Sequence, residues 1–181
     1  MCIRDSVEIL SFPFVSVADL DNMGVPAGDE RRRLNKIINP LSETAPYLRT
    51  SLLPGLFGAV ARNRSRGNDD LALFESGSVF FASDPLRTAP RPPVSRRPAQ
   101  SELDALDRAL GRQPRHLAAV LSGLRRSGWF LDDEPVDWTH PIAFVETAAA
   151  AVGIALERRP ATRPPWHPCL LYTSPSPRDR S

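Results

Sequence analysis

The side chains best suited to chemistry are three histidines, His116, His140 and His167, and they lie far apart in the sequence. Their separation fits none of the short spacings that bring histidines to one metal ion. His116 enters a predicted core strand, where a hydrogen-bonded structural histidine is a better interpretation than a metal ligand. We therefore expect no histidine-based metal site.

An acidic run, Asp132-Asp133-Glu134, follows closely after Trp129. Carboxylate oxygens of this kind bind divalent cations, but a solvated turn explains the same residues, and we favour the turn. The sequence contains no phosphate-binding glycine loop, no nucleophile elbow and no dinucleotide fingerprint. The residues alone thus predict a segment with no catalytic, cofactor-binding or metal-binding residue.

The two ends of the chain, residues 1–6 and 169–181, share an unusual property. Met1 to Asp5 can be encoded by ATG TGT ATA AGA GAC, and the reverse complement of that string contains codons for Leu170 to Thr173. One short DNA string therefore accounts for both ends, and it resembles the tag ligated to DNA fragments before sequencing. We expect both ends to be translated adapter DNA and residues 7–168 to be the biological domain.

Composition excludes several classes of protein once these ends are set aside. Both cysteines, Cys2 and Cys169, lie in the ends, so we expect neither a disulfide nor a thiolate site. The 23 basic and 21 acidic residues fall to 20 and 19, so the pI of about 8.8 does not indicate a nucleic-acid partner. No apolar stretch approaches the roughly 20 residues that span a bilayer, and we expect a cytoplasmic protein.

Between the ends, the hydrophobic pattern predicts strands and helices in an irregular order. The predicted strands cover residues 7–15, 34–40, 70–81, 115–123 and 154–159. The predicted helices cover residues 16–24, 52–64, 101–112 and 139–152. Strands outnumber helices and no βαβ rhythm is sustained, which indicates an α+β fold with a mainly antiparallel sheet.

Local signals refine four of these elements. Ser16 and Asp19 predict a capping box at the start of the first helix, and Gly24 ends that helix. Ser51 is the predicted N-cap of the helix over residues 52–64, and Ser101 is the predicted N-cap of the helix over residues 101–112. In the strand over residues 70–81, Gly77 indicates either a bulge or a break between two strands.

Two polar segments are predicted to lie on the surface. The charged residues 28–33 form a loop that we expect to face solvent. Residues 84–100 are rich in proline and arginine and fit neither a sheet nor a helix interior. We favour an extended surface loop for this segment; a ligand for a proline-recognising domain is the alternative.

A series of motifs runs from Asn39 to Phe80: N-P-L-S, then L-R-T-S-L-L-P-G-L, then N-x-x-R-G, then L-F-E-x-G-x-V-F. In this order they resemble the core of the β subunit of bacterial phenylalanyl-tRNA synthetase, and the arginine bias resembles actinobacterial members. The flanking residues 7–16, 114–123 and 161–168 fit the same family. Two departures are Cys169 in place of the family's glycine and the absence of a Lys-Gly turn in residues 137–146.

The resemblance implies a fold and a division of labour. The domain would be a non-catalytic, truncated copy of the class II aminoacyl-tRNA synthetase fold, an antiparallel sheet flanked by helices. The α subunit would perform the chemistry with ATP and magnesium. Phe81 stands where α subunits have an arginine that grips the ATP phosphate, so no cofactor is expected in this segment. Arg49 is expected to position the helix from Ser51 to Arg64 rather than to act in catalysis.

The resemblance also implies partners. The segment would pack against the α subunit in an (αβ)₂ heterotetramer that attaches phenylalanine to its tRNA, with the tRNA contacted by parts of the enzyme outside residues 7–168. An apolar stripe on the second helix is the candidate subunit interface: Leu52, Leu53, Leu56, Phe57 and Val60. The alternative is that the stripe packs only on its own sheet. A free-standing, non-catalytic protein-interaction module is the alternative function.

Overall fold

The computed structural model describes residues 6–82, 89–125 and 132–157, together with the backbone of two short strands beyond them. The α-helices are α1 (Val17–Asn22), α2 (Leu53–Arg64), α3 (Gln100–Ala109) and α4 (Thr139–Ala151), and a 3-10 helix covers Glu30–Arg32. The strands are β1 (Val7–Glu8), β2 (Phe14–Val15), β3 (Tyr47–Leu48), β4 (Leu71–Ser78), β5 (Arg115–Ser122), β6 (Leu124–Arg125), β7 (Glu134–Pro135), β8 (Arg159–Pro160) and β9 (Tyr172–Thr173). The coarse α+β prediction is confirmed.

The central sheet has the order β1-β4-β5, with β4 in the middle. β4 and β5 are antiparallel over eight residue pairs, from Leu71 opposite Ser122 to Ser78 opposite Arg115. β1 pairs with β4 in parallel over two residue pairs, the parallel exception in a sheet that was predicted to be mainly antiparallel. The long connection between β1 and β4 makes this possible, because parallel neighbours need a crossover whereas a tight hairpin joins only antiparallel strands.

Helices cover both faces of β4. Successive side chains of a strand point to opposite faces, so Leu73 joins the apolar core beneath α2, whereas the Phe74 ring lies 5.9 Å from that of Phe144 on α4. The core residues on the α2 side are Leu52, Leu56, Ala59, Leu73 and Val79. Each is at least 94% buried, so this layer forms the main hydrophobic core of the described residues.

Three of the predicted strands are shorter than the pattern suggested. Residues 7–15 divide into β1 and β2, and β2 pairs with β3 in a separate antiparallel sheet. The division falls at Ser11, whose hydroxyl turns inward to a buried carboxylate on β4. Residues 34–40 contribute only one bridge, from Lys36 to Tyr47, and residues 154–157 form no strand.

Gly77 marks neither a break nor a bulge, because β4 runs through it in register with His116 on β5. β5 was predicted to be buried, and its first three residues are exposed instead. β5 is an outer strand of this sheet, and among the described residues it pairs with β4 on one side only. His116 is consequently an exposed strand residue and not a core histidine.

The first helix is capped as predicted, with Ser16 Oγ accepting from the Asp19 N–H at 3.1 Å and Asp19 accepting from the Ser16 N–H at 2.7 Å. Gly24 follows with φ of 65°, a conformation that favours glycine. The other two predicted caps are displaced. α2 starts after Leu52, although Ser51 Oγ accepts from the Leu53 N–H at 3.3 Å, and α3 starts after Ala99 instead of Ser101.

The charged loop over residues 28–33 does not lie wholly in solvent. Arg31 is buried, and its guanidinium donates to both carboxylate oxygens of Asp29 at 2.8 and 2.6 Å. The Thr50 hydroxyl donates to the Arg31 carbonyl at 2.7 Å. Of the proline-rich segment, residues 89–99 form neither helix nor strand, and residues 84–88 lie outside the described part of the chain.

The two ends expected to be adapter DNA fall mostly outside the described residues. Ser6 is buried, and the backbone of Tyr172–Thr173 pairs with Arg159–Pro160. The adapter origin of residues 1–6 and 169–181 stays a prediction.

Candidate functional site

A buried ionic cluster lies where β4, α2 and the segment between β1 and β2 meet. The Arg49 guanidinium donates to Glu75 Oε1 at 2.6 Å and to Ser11 Oγ at 2.9 Å, and the Ser11 hydroxyl donates to Glu75 Oε2 at 2.6 Å. The side chains of Arg49 and Glu75 are 7% and 2% exposed. The three side chains thus satisfy one another away from water, as a buried charge requires.

Arg49 makes three further hydrogen bonds within the chain. Its Nε donates to the Ser78 carbonyl at 3.1 Å, its backbone N–H to the Pro13 carbonyl at 2.9 Å, and its own carbonyl accepts from the Phe80 N–H at 2.8 Å. A phosphate-binding arginine presents its donors to the ligand, whereas these donors point to protein oxygens. The expectation that Arg49 positions α2 also needs correction: the polar partners of its side chain lie on β4 and on Ser11.

α2 approaches this cluster through a glycine. A Cβ at Gly55 would overlap Ser11 Oγ and would come within 2.9 Å of Ser11 Cβ. A Cβ at Gly77, on β4, would overlap the Arg49 guanidinium. Both positions therefore need glycine for close approach, and the packing of α2 on β4 depends on the absence of these two side chains.

The predicted interface stripe on α2 divides into three parts. Leu52 and Leu56 are 2% and 0% exposed and belong to the core of the chain itself. Leu53 and Val60 are half-buried against that core, and Phe57 is 38% exposed. A residue with no exposed surface contacts no partner, so only the line of Leu53, Phe57 and Val60 is available for an interface in this arrangement.

Phe81, the residue predicted to replace a phosphate-gripping arginine, lies at the wall of a cavity of about 400 Å³. The Arg112 guanidinium lies 5.0 Å from the centre of the Phe81 ring, a cation–π distance. Arg112 Nη2 is also 3.7 Å from Glu30 Oε2. The Arg112 cation beside Phe81 therefore already has an aromatic ring and a carboxylate as neighbours.

A second polar cluster lies at the start of α4 and involves His140. Its Nε2 is 3.1 Å from Glu134 Oε1 and its Nδ1 is 2.9 Å from Asp137 Oδ1. The hydrogen bond with Glu134, supported by that with Asp137, raises the pKa of His140 above its ordinary value. The hydrogen bonds that Glu134 makes with His140 and then Arg125 lower the pKa of Glu134.

The acidic run Asp132-Asp133-Glu134 is exposed, and Glu134 lies in β7 with Arg125 opposite on β6. Within the described ranges, no group of three or more His, Cys, Asp or Glu is arranged to hold a metal ion. His116 and His140 are on separate elements, and His167 lies outside the described residues.

Sequence reasoning missed the roles of Glu75 and His140. Glu75 carried a usable signal: it follows Leu73 and Phe74 in the middle of a predicted strand, and a carboxylate on the core face of such a strand needs a buried cation. Arg49, the one charged residue in the stretch from Tyr47 to Leu53, was the matching cation. His140 carried no such signal, because its two partners lie in turn and edge-strand positions.

Comparison with known proteins shows which family of proteins this chain is similar to. A family model described as "Phenylalanyl tRNA synthetase beta chain CLM domain" matches residues 1–171. Among curated relatives, the phenylalanine–tRNA ligase β subunit of Cutibacterium acnes is 47% identical over 163 residues, which is 90% of this chain and 19% of the relative. The β subunits of Streptomyces avermitilis and Thermobifida fusca are 46% and 43% identical, over 90% and 97% of this chain and 20% and 22% of the relatives.

The chain thus spans about a fifth of the length of these curated relatives. Among solved structures, a pyrrolysyl-tRNA synthetase of Desulfitobacterium hafniense aligns with a TM-score of 0.47 at 13% identity, over 87% of this chain and 44% of that one. A likeness at that level carries no argument about function. In the part of the chain that the structure describes, no helix is long and apolar enough to cross a membrane.

Proposed function

Since this chain belongs to the phenylalanyl-tRNA synthetase beta chain family, we propose that it forms a non-catalytic core domain that assembles with a catalytic α subunit. The observation that carries the proposal is the family match over residues 1–171. The complete enzyme is an (αβ)₂ phenylalanine–tRNA ligase in this proposal. It uses ATP and magnesium in the α subunit, contacts tRNA outside this domain and works in the cytoplasm.

The buried bonding of Arg49 within the chain supports a non-catalytic role. Its guanidinium is held by Glu75, Ser11 and the Ser78 carbonyl, so binding a phosphate there would break a buried ion pair. Such a loss costs several kcal/mol, because it leaves a buried charge without its partner. The domain is in this view a class II-like copy in which the central cluster maintains structure.

The exposed line of α2 supports a role in assembly. Phe57 is a large aromatic residue with more than a third of its surface exposed, flanked along the helix by the half-buried Leu53 and Val60. Aromatic residues are enriched at interfaces, because they bury much area with few rotatable bonds. Leu52 and Leu56 contribute indirectly in this proposal, by fixing α2 on β4.

The proposal is tested in the full-length β subunit co-expressed with its α subunit. Phe57→Asp places a charge in the proposed interface and should shift the (αβ)₂ assembly toward free subunits in analytical ultracentrifugation. Arg62→Asp is the matched control, because residue 62 lies on the same helix about 140° away from residue 57. An intact heterotetramer with Phe57→Asp would place the interface elsewhere, and failure of the wild-type subunits to associate would overturn the proposed function itself.

A further inference from the structure

His140 holds together two elements that are otherwise joined by a short turn. It lies in the first turn of α4, and its side chain is only 13% exposed although its partners Glu134 and Asp137 are about half exposed. Glu134 belongs to β7, and Asp137 belongs to the turn between β7 and α4. The imidazole ring thus joins the start of α4 to β7 through Nε2 and to the preceding turn through Nδ1.

The charge on this ring decides how many of those bonds exist. An imidazolium has two N–H donors and can donate to both carboxylates, whereas a neutral imidazole has one donor and one lone pair. If the neutral ring keeps its Nε2–H for Glu134, its Nδ1 lone pair faces the Asp137 carboxylate at 2.9 Å. Two electron-rich atoms at that distance repel each other, so the contact with Asp137 is lost.

The neutral ring has an alternative partner at the same nitrogen. The backbone N–H of Asp137 points to Nδ1 at a distance of 3.1 Å and can donate to the lone pair. Asp137 Oδ1 meanwhile accepts from the backbone N–H and the hydroxyl of Thr139, at 2.9 and 2.6 Å. Loss of the proton from Nδ1 therefore changes the partners of the Asp137 carboxylate, which also supports the first turn of α4 through Thr139.

We propose that protonation of His140 is a pH-sensitive switch that controls how firmly the first turn of α4 is held to the turn before it, at Asp137, and to β7, at Glu134. Among the described residues, the charged groups that face His140 are Glu134 from β7 and Asp137 from the turn, and Arg125 from β6 reaches the ring only through Glu134, at 2.9 Å. Both groups in direct contact are carboxylates, and both favour the charged ring.

The sign of the effect follows from the direction of the shift. The pKa of His140 is raised in the folded chain. The additional attachment is therefore complete below the ordinary histidine pKa of about 6.5 and is lost as the pH rises through the raised value. Because the partners are solvent-exposed, the effect should be a few-fold change in local opening and not unfolding of the chain.

The experiment is hydrogen–deuterium exchange of the full chain between pH 5.5 and 8.5, read by mass spectrometry and corrected for intrinsic exchange. The amides of Ile142 to Val145, the first to bond within the helix, should lose about threefold in protection as the pH rises, as expected for exposed ion pairs. His140→Gln should remove this pH dependence. His116→Gln, the matched control on β5, should keep it.

A second variant separates charge from helix capping. Asp137→Asn retains an oxygen that accepts from Thr139 but removes one of the two charges, so the loss of protection should move to lower pH. Exchange of the imidazole C2 hydrogen should show the same downward move of the pKa of His140. The proposal is overturned if wild-type protection is equal at both pH values, if His140→Gln keeps the wild-type profile, or if Asp137→Asn leaves the transition in place.

Discussion

The Arg49 guanidinium and the Glu75 carboxylate form an ion pair of 2.6 Å in the interior of the domain, with side chains that are 7% and 2% exposed. The pair joins the chain before α2 to the middle strand of the sheet, and Ser11 adds the segment between β1 and β2. Three stretches that are distant in the sequence are therefore fixed by one polar cluster. The first predictions follow from it.

Breaking the pair from one side should be costly. Arg49→Met or Glu75→Leu alone should lower the free energy of unfolding by about 3–5 kcal/mol, because each leaves a buried charge without its partner. The double variant Arg49→Met/Glu75→Leu should lose less than the sum of the two. Urea denaturation followed by circular dichroism measures these values.

The exposed pair of Arg64 and Asp69, at 3.0 Å, is the control for this series. Arg64→Ala should change stability by less than about 1 kcal/mol, because surface ion pairs contribute little. Equal losses at Arg49 and Arg64 would contradict the structural role of the buried pair.

The two glycines of α2 should respond in opposite ways to alanine. Gly55→Ala should destabilise the domain, because its Cβ would overlap Ser11 Oγ at the cluster. Gly58→Ala meets only the end of the flexible Arg62 side chain, at 3.4 Å, and should be neutral or stabilising by up to about 1 kcal/mol. Thermal melts of both variants decide this, and a stabilising Gly55→Ala would show that α2 does not pack as closely as described.

Substitutions at two neighbouring residues of α2 should distinguish an effect on folding from an effect on subunit assembly. Leu56→Ala should cost about 2–5 kcal/mol of stability, because Leu56 is fully buried. Phe57→Ala should cost much less in the isolated chain and should reveal its effect only when the α subunit is present. Chemical denaturation of the chain alone measures the difference, and similar losses for the two variants would place Phe57 in the core.

The chain should not bind ATP with a dissociation constant below about 100 µM, which corresponds to roughly −5.5 kcal/mol. Phe81 offers neither charge nor donor to a phosphate, and the bonds of Arg49 are made within the protein. Isothermal titration calorimetry with ATP and magnesium tests this. Tighter binding that is lost in Arg112→Ala would locate a nucleotide at the cavity beside Phe81 and would contradict the non-catalytic interpretation.

Acidification should loosen the start of α3. Hydrogen bonds from Arg96 and then from the Ala99 N–H lower the pKa of Glu102. Its support of the helix is therefore present above the ordinary carboxyl pKa of about 4.3 and is lost as the pH falls through the lowered value. Near pH 6, hydrogen exchange should show greater protection of the α3 amides in the wild type than in Glu102→Gln, and this difference in protection should disappear toward pH 3. A difference that persists at pH 3 would contradict a role for the ionised Glu102 carboxylate.

Features that depend on neighbouring residues could be predicted from the order of the amino acids alone. The capping box of Ser16 and Asp19, the stop at Gly24 and the span of α2 follow from short-range patterns, because the groups that bond lie within four residues of one another. The motifs from Asn39 to Phe80 also identified the family without any coordinates.

The partners of the buried polar residues and the buried face of α2 depend instead on long-range packing. Glu75 meets Arg49 across 26 residues and Ser11 across 64, and no local pattern specifies such a pairing. The hydrophobic stripe of α2 was visible in the sequence, but periodicity does not tell a core face from an interface, because both are apolar. The packing of α2 on β4 made that distinction: Leu56 has no exposed surface, and Phe57, the next residue, faces outward.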